Sequence, residues 1–277
     1  GTDTDILVTR LLTNGTIDPA FSPGQGFVHV DWMGGFDHGR GIAVSESPAG
    51  TVHLWVVGDV RWSGQRTDYD SYVARLSATG AVESSLVTDL SLAHGDDRLA
   101  GATWDRFRSR LYAVGITASG STYHATVARF TPTGDLDPSF SGDGTVDFPF
   151  DAAEQSGDAS SAFSVAVQGD GRPVVGGGFV ASAGSAGYDF AAARLTTSGA
   201  LDSSFHGNGR TTVGLDLGGD DWDISYALSL GDGRPLLLGM STVADGTTKV
   251  SAARLTNSEV FRDGFETGTM EFWAVTP

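Results

Sequence analysis

One segment occurs five times along this chain. VTRLLTNGTIDPAF, VARLSATGAVESSL, VARFTPTGDLDPSF, AARLTTSGALDSSF and AARLTNSEVFRDGF begin at Val8, Val73, Val127, Ala192 and Ala252. Their arginines are Arg10, Arg75, Arg129, Arg194 and Arg254, at intervals of 65, 54, 65 and 60 residues. Five residues after the arginine stand Gly15, Gly80, Gly134 and Gly199, with Glu259 in the fifth copy. Eight after stand Asp18, Glu83, Asp137 and Asp202, with Arg262 in the fifth. Eleven after stand Phe21, Leu86, Phe140, Phe205 and Phe265. A period near sixty residues marks a repeat architecture, in which neighbouring units bury one another's apolar faces.

Between these segments lies a second recurring element, two apolar runs split by a turn. It starts at Gly41, Leu99, Phe163 and Tyr226, and Asp170-Gly171 and Asp232-Gly233 supply hairpin turns. The runs are too short for helices, so each repeat reads as two hairpins. Four strands per sixty residues predict an all-β fold, a small β-propeller of four to five four-stranded blades, with a stacked solenoid as the rival. The expected organisation is one repeat domain over 1–277, with units near 1–32 (partial), 33–92, 93–148, 149–213 and 214–277. The Ala/Val/Gly-rich first strand suits a crowded centre, and the run Thr51–Val60 suits packing between neighbouring sheets. Five arginine segments against four double-strand elements leave residues 3–31 as a half-blade. Its strand, carrying Ile6, Val8 and Leu11, is expected to pair with Lys249–Leu255 or with another molecule in a strand-exchanged homo-oligomer.

The stretch FAAARLTTSGALDSSFHGNGRTTV followed by SYALSLGDGRPLLLGMS resembles the delta-60 repeat, found in tandem in large bacterial exported proteins. The second unit departs from that pattern at Glu83 and Leu86. The resemblance implies a repeat fold and export, and no activity. The end of the chain, VFRDGFETGTMEFW, resembles a short tail of exported proteobacterial proteins through Asp263, Gly264, Phe265, Glu266 and Trp273. It implies an extracellular or cell-surface location.

Composition narrows the function classes. The absence of cysteine excludes disulfides, zinc–thiolate sites and thiol catalysis. A net charge of −17, with Lys249 the one lysine, makes nucleic acid a poor partner. No window approaches the ~20 apolar residues of a membrane-spanning helix.

The recurring pairs Arg75/Glu83, Arg129/Asp137 and Arg194/Asp202 read as structural, because a single active site would not repeat in every unit. Asp143-Gly144 and Asn208-Gly209 read as turns. Asp37, Asp96 and Asp221 each stand six residues before a strand alanine, with Ser160 in the remaining unit, and Trp32, His38 and Trp222 lie in the same loops. Carboxylates beside aromatic rings suit a sugar or a cation, calcium being the cofactor such loops would take. Enzyme signatures such as Gly-x-Ser-x-Gly or His-Glu-x-x-His are missing. The reading is a non-catalytic extracellular or cell-surface module for ligand binding or assembly, with carbohydrate or a surface component as partner. The alternatives are a secreted hydrolase acting on carbohydrate or lactone, and a structural surface or filament subunit.

Overall fold

Short Val-, Ala- and Leu-rich runs closed by glycine turns satisfy their backbones by pairing side by side. The computed structural model describes residues 4–255 apart from 23, 33, 48, 62–67, 91–94, 120–121, 154, 182–186, 216–221 and 232, together with the backbone of 260–264. Among these residues every regular element is a strand, and no helix is long and apolar enough to cross a membrane. A two-stranded pair, β1 (Ile6–Thr9) with β2 (Phe27–Val30), comes first. Four antiparallel groups follow, each resembling a propeller blade. The first is β3 (Phe36–Glu46), β4 (Val52–Arg61), β5 (Asp70–Ser77) and β6 (Val82–Thr88). The second is β7 (Asp97–Asp105), β8 (Arg110–Ser119), β9 (Thr122–Phe130) and β10 (Thr145–Phe148). The third is β11 (Ala159–Val167), β12 (Pro173–Val180), β13 (Tyr188–Arg194) and β14 (Arg210–Val213). The last is β15 (Ile224–Ser229), β16 (Leu236–Thr242), β17 (Thr248–Leu255) and β18 (Val260–Gly264). The chain forms two compact units, Gly1–Phe148 with Thr197–Ala200, and Pro149–Thr196 with Leu201–Pro277.

Two expectations about strands need correction. β17 is flanked by β16 and β18, so Lys249–Leu255 has no free edge to offer β1. The first strand of the first group is crowded on one face alone: a Cβ on Gly41 would meet Gly101 of β7 and Ala43 is buried, whereas Ile42 and Val44 are 56% and 58% exposed. Of the tail, Asp263 and Gly264 belong to β18, whereas Phe265, Glu266 and Trp273 lie outside the described residues.

Cores form where one sheet faces the next. Alternation along β4 sends Val56 and Val60 toward Ile6, Val8, Phe21 and Val28, and sends Trp55 and Val57 toward Leu99, Leu111 and Phe130. A strand buried on both faces in this way is the packing expected of Thr51–Val60. In the second unit Phe190, Phe205 and Val213 pack on Leu237, Ala253 and Leu255.

Glycine is required at one place in every group. Each first strand carries a bulge, at Gly39/Gly41, Leu99/Gly101, Ala162/Ser164 and Ser225/Ala227. The bulge pushes a carbonyl onto the second strand at Gly58, Gly115, Gly177 and Gly239, where a Cβ would overlap the oxygen of His38, Arg98, Ser161 and Ile224.

The repeated arginine holds the turn after each third strand. Arg129 Nε donates to Asp137 Oδ2 at 3.0 Å, Arg194 Nε to Asp202 Oδ2 at 2.8 Å, Arg10 Nε to Asp18 Oδ2 at 2.8 Å, and Arg75 Nε to Glu83 Oε2 at 3.1 Å. In three repeats the acid's amide donates back to the arginine carbonyl, and the phenylalanine amide donates to the acid's carbonyl. That places Phe21, Phe140 and Phe205 under the guanidinium, with the charged carbon 5.3, 4.7 and 5.1 Å from the ring centre. A second basic residue, five positions before the glycine that faces the bulge, closes the clasp. Arg110 donates to Asp137 at 2.6 Å, Arg172 to Asp202 at 2.7 Å, and His53 lies 2.8 Å from Glu83. The arginines also reach forward, Arg10 to the carbonyl of Ala78, Arg75 to that of Pro132 and Arg129 to that of Thr197. Where Glu83 and Leu86 replace Asp and Phe, the looped turn gives way to a longer fourth strand, β6.

Two predictions follow from this packing. Phe140→Ala should cost about 3–5 kcal/mol in urea unfolding by leaving a cavity, whereas Phe107→Ala, at an exposed position, should cost almost nothing. Acid titration should show the clasp. Burial alone would raise the Asp137 carboxyl, but bonds from Ser139 and Arg110 and the charge of Arg129 outweigh it and lower the pKa to about 2. A depressed carboxylate stabilises the fold above its unfolded pKa near 4 and loses that contribution as pH falls toward 2. Melting temperature should therefore drop over that interval, and Asp137→Asn should flatten the drop.

Candidate metal centre

Each group begins on a polar side chain two residues before its bulge: Asp37, Asp97, Ser160 and Asp223. Each accepts the amide of the loop arriving from the preceding strand pair. The donors are Trp32 N at 2.5 Å, Leu90 N at 2.6 Å, Phe150 N at 2.9 Å and Leu215 N at 2.7 Å. Three of the four also donate their own amides to the preceding third strand, at Thr4 O, Tyr69 O and Tyr188 O. The residue is thus a knot joining three chain segments, and burial strengthens it by excluding competing water.

The residues marked from sequence do not gather into one site. Asp37 and Trp32 are joined by the bond just described, and the Trp32 ring lies 6.0 Å from that of Tyr72. His38 turns away from them and sits 2.8 Å from Asp59, which also takes the Arg40 guanidinium. Asp96 accepts the Tyr69 amide at 3.0 Å and pairs with Arg98 at 2.8 Å. The structural counterpart of Asp37 in that repeat is Asp97, one residue further on, and in the last repeat it is Asp223 rather than Asp221. Counting from the strand alanine missed this, because Ala43, Ala102 and Ala227 stand at different distances past bulges of one size. Asp221 lies outside the described residues. Trp222 is 46% exposed and rests on Tyr188, ring centres 4.9 Å apart.

The knot aspartates bring two further acids with them. Asp5, Asp31 and Asp37 place carboxylate oxygens within 4.8 Å of one another, and so do Asp70, Asp89 and Asp97. The two trios occupy equivalent places: the start of a third strand, the exit of a fourth strand, and the knot itself. An all-oxygen, triply acidic set can hold a hard divalent cation. The two trios differ in how the knot carboxylate is satisfied. Asp97 Oδ1 accepts the Thr117 hydroxyl at 2.6 Å from the facing strand. Val60 faces Asp37 in the same register, and Asp37 Oδ1 is buried with no hydrogen-bond partner. Burial pushes the Asp37 carboxyl up to about 6. The Trp32 amide opposes that rise, and the charges of Asp31 and Asp5 add to it. No periodicity in the sequence pointed to Asp31. For Asp5 the available signal was an acid five residues before the repeat arginine, at Asp5, Asp70 and Asp189.

A family model described as a domain of unknown function (DUF5122), beta-propeller, matches residues 110–140 and 168–205. Those segments hold the clasps of Asp137 and Asp202. No curated protein matches the chain. Among solved structures it is similar to a protein of unknown function from Bacteroides caccae, at 13% identity and TM-score 0.46, covering 94% of this chain and 77% of that one. It is also similar to Cellvibrio cellulosa α-L-arabinanase complexed with arabinohexaose, at 14% identity and TM-score 0.43, covering 80% and 76%. A GH43_1 enzyme from Xanthomonas citri gives 14% identity, TM-score 0.42 and coverage of 84% and 75%. Likeness at this level says nothing about activity.

Removing the hydroxyl that serves Asp97 tests the knot directly. Thr117→Val should cost about 1–3 kcal/mol in urea unfolding, whereas Thr212→Val, at an exposed strand position, should cost well under 1 kcal/mol.

Proposed function

We propose that this chain is a non-catalytic repeat module of an exported bacterial protein, binding carbohydrate or a surface component outside the cell. The observation that carries the reading is Trp222, half exposed and packed at a tilt against Tyr188. An indole fixed in this way offers its electron-rich face to the C–H groups of a sugar ring at little entropic cost. The polar side chains that recur most regularly are committed to the arginine clasps and aspartate knots, which leaves them unsuited to catalysis. Tryptophan fluorescence titrated with soluble plant and bacterial polysaccharides is expected to show saturable quenching that Trp222→Ala removes. Quenching unaltered by that substitution, or absent with every polysaccharide, would overturn the reading.

Assembly is the other half of the proposal. Among the described residues β1 pairs with β2 alone, and its outward Leu7 is exposed. A strand edge of this kind recruits a further strand. Deleting residues 1–12 should lower the mass seen by light scattering if that edge joins copies of the chain, and an unchanged oligomeric mass would remove it from the proposal.

A secreted hydrolase acting on carbohydrate or lactone is the second reading. What favours it is a carboxyl raised to about 6 beside two other carboxylates, the kind of pairing that glycoside hydrolysis uses. Against it, Asp37 is 2% exposed and offers a substrate no approach. Release of reducing sugar from arabinan, lost in Asp37→Asn, would reverse the ranking.

A further inference from the structure

We propose that Asp5, Asp31 and Asp37 bind one calcium ion that ties the β1–β2 pair to β3. The inference stands apart from carbohydrate binding and from assembly. Its first support is the orphaned oxygen: Asp37 Oδ1 is buried without a donor, and so is Asp5 Oδ1. Two buried carboxylate oxygens without partners, in a trio whose ligand oxygens lie within 4.8 Å of one another, leave negative charge uncompensated. Three of the other four oxygens have partners. Asp37 Oδ2 takes the Trp32 amide, Asp5 Oδ2 lies 2.6 Å from His29 Nε2, and Asp31 Oδ1 takes the Gly34 amide at 2.8 Å. His38, the remaining basic group near Asp37, is engaged by Asp59. Among the described residues His29 pairs with Asp5 only, and the charge that fills the gap beside Asp37 is assigned to a cation from outside the chain.

The comparison within the molecule gives the second support. The equivalent trio of Asp70, Asp89 and Asp97 has a hydroxyl, from Thr117, where the first has the methyl groups of Val60. One trio is completed from within the fold and the other is not. The ligands are hard oxygens, which exclude soft metals. Calcium accepts irregular cages of carboxylate and water oxygens, whereas magnesium demands near-ideal octahedral geometry and gives up its water reluctantly. The exposed position of Asp31 lets water complete the shell. Because the three acids lie at the start of β1, after β2 and within β3, occupancy fastens the strand pair to the first complete group.

The test is calorimetry and thermal melting of the full chain, stripped with EDTA and titrated with calcium chloride. One site is expected, with melting raised by about 5 °C or more at saturating calcium. Asp31→Asn should weaken binding at least tenfold. Val60→Thr should weaken it too, by giving Asp37 the hydroxyl that Asp97 already has. Asp89→Asn should leave affinity within twofold of wild type. Absence of both heat and melting shift in the wild type would overturn the proposal, as would Asp31→Asn and Val60→Thr binding calcium like the wild type. A magnesium response equal to that of calcium would overturn the choice of ion.

Discussion

An arginine that grips an acid of its own repeat and a carbonyl of the next is the contact on which the rest of this structure depends. Arg129 shows it most fully. It bonds Asp137, Ser139 and the Thr197 carbonyl, and covers the Phe140 ring. Both members of the Arg129–Asp137 pair are buried, so breaking it strands a charge that water cannot easily reach. The clasp fixes the turn after each third strand, the turn seats the phenylalanine, and the phenylalanine closes the core between sheets. Sheets fixed in this way hold their first strands in register, and the knot aspartates then fall at equivalent places.

Equivalent places need not carry equivalent chemistry. The knot residue is Asp in three repeats and Ser160 in the other. Around it the chain places Asp5 and Asp31 in the first repeat and Asp70 and Asp89 in the second, whereas the corresponding sequence positions of the fourth hold Asp189 and Gly214. Acidity is therefore concentrated toward the start of the chain. A scaffold that repeats its backbone and varies a few side chains can support a cation in one unit and a hydroxyl in the next. That division between a shared frame and a local site is how repeat folds acquire function.

Much of the frame was legible in the sequence, because strand period, turn glycine and clasp all recur at fixed offsets from one arginine. The positive φ of Gly15, Gly80, Gly134 and Gly199 explains why that offset holds a glycine. The second basic residue of the clasp, Arg110 or Arg172, escaped notice since it belongs to a different hairpin and meets its acid only after folding. The glycines facing the bulges were hidden for a related reason, as an overlap with a carbonyl of the neighbouring strand leaves no trace in the local sequence. The acidic trio was least legible. Asp5, Asp31 and Asp37 come from three segments, and what distinguishes their trio from the next is a valine in place of a threonine on a facing strand. The strand at Lys249–Leu255 was misjudged as an open edge because β18, with Glu259 and Arg262 where the motif has glycine and acid, departs from the pattern that marks a fourth strand.

The central claim is that arginine and acid act as one unit in each clasp, which a double-mutant cycle on the best-buried pair measures. Arg129→Met, Asp137→Asn and the double variant would be unfolded in urea beside the wild type. Each single change should cost about 3–5 kcal/mol, and the pair should be non-additive by about 1.5 kcal/mol or more. Costs that add to within about 0.5 kcal/mol would contradict the account, showing two independent side chains where a clasp is described.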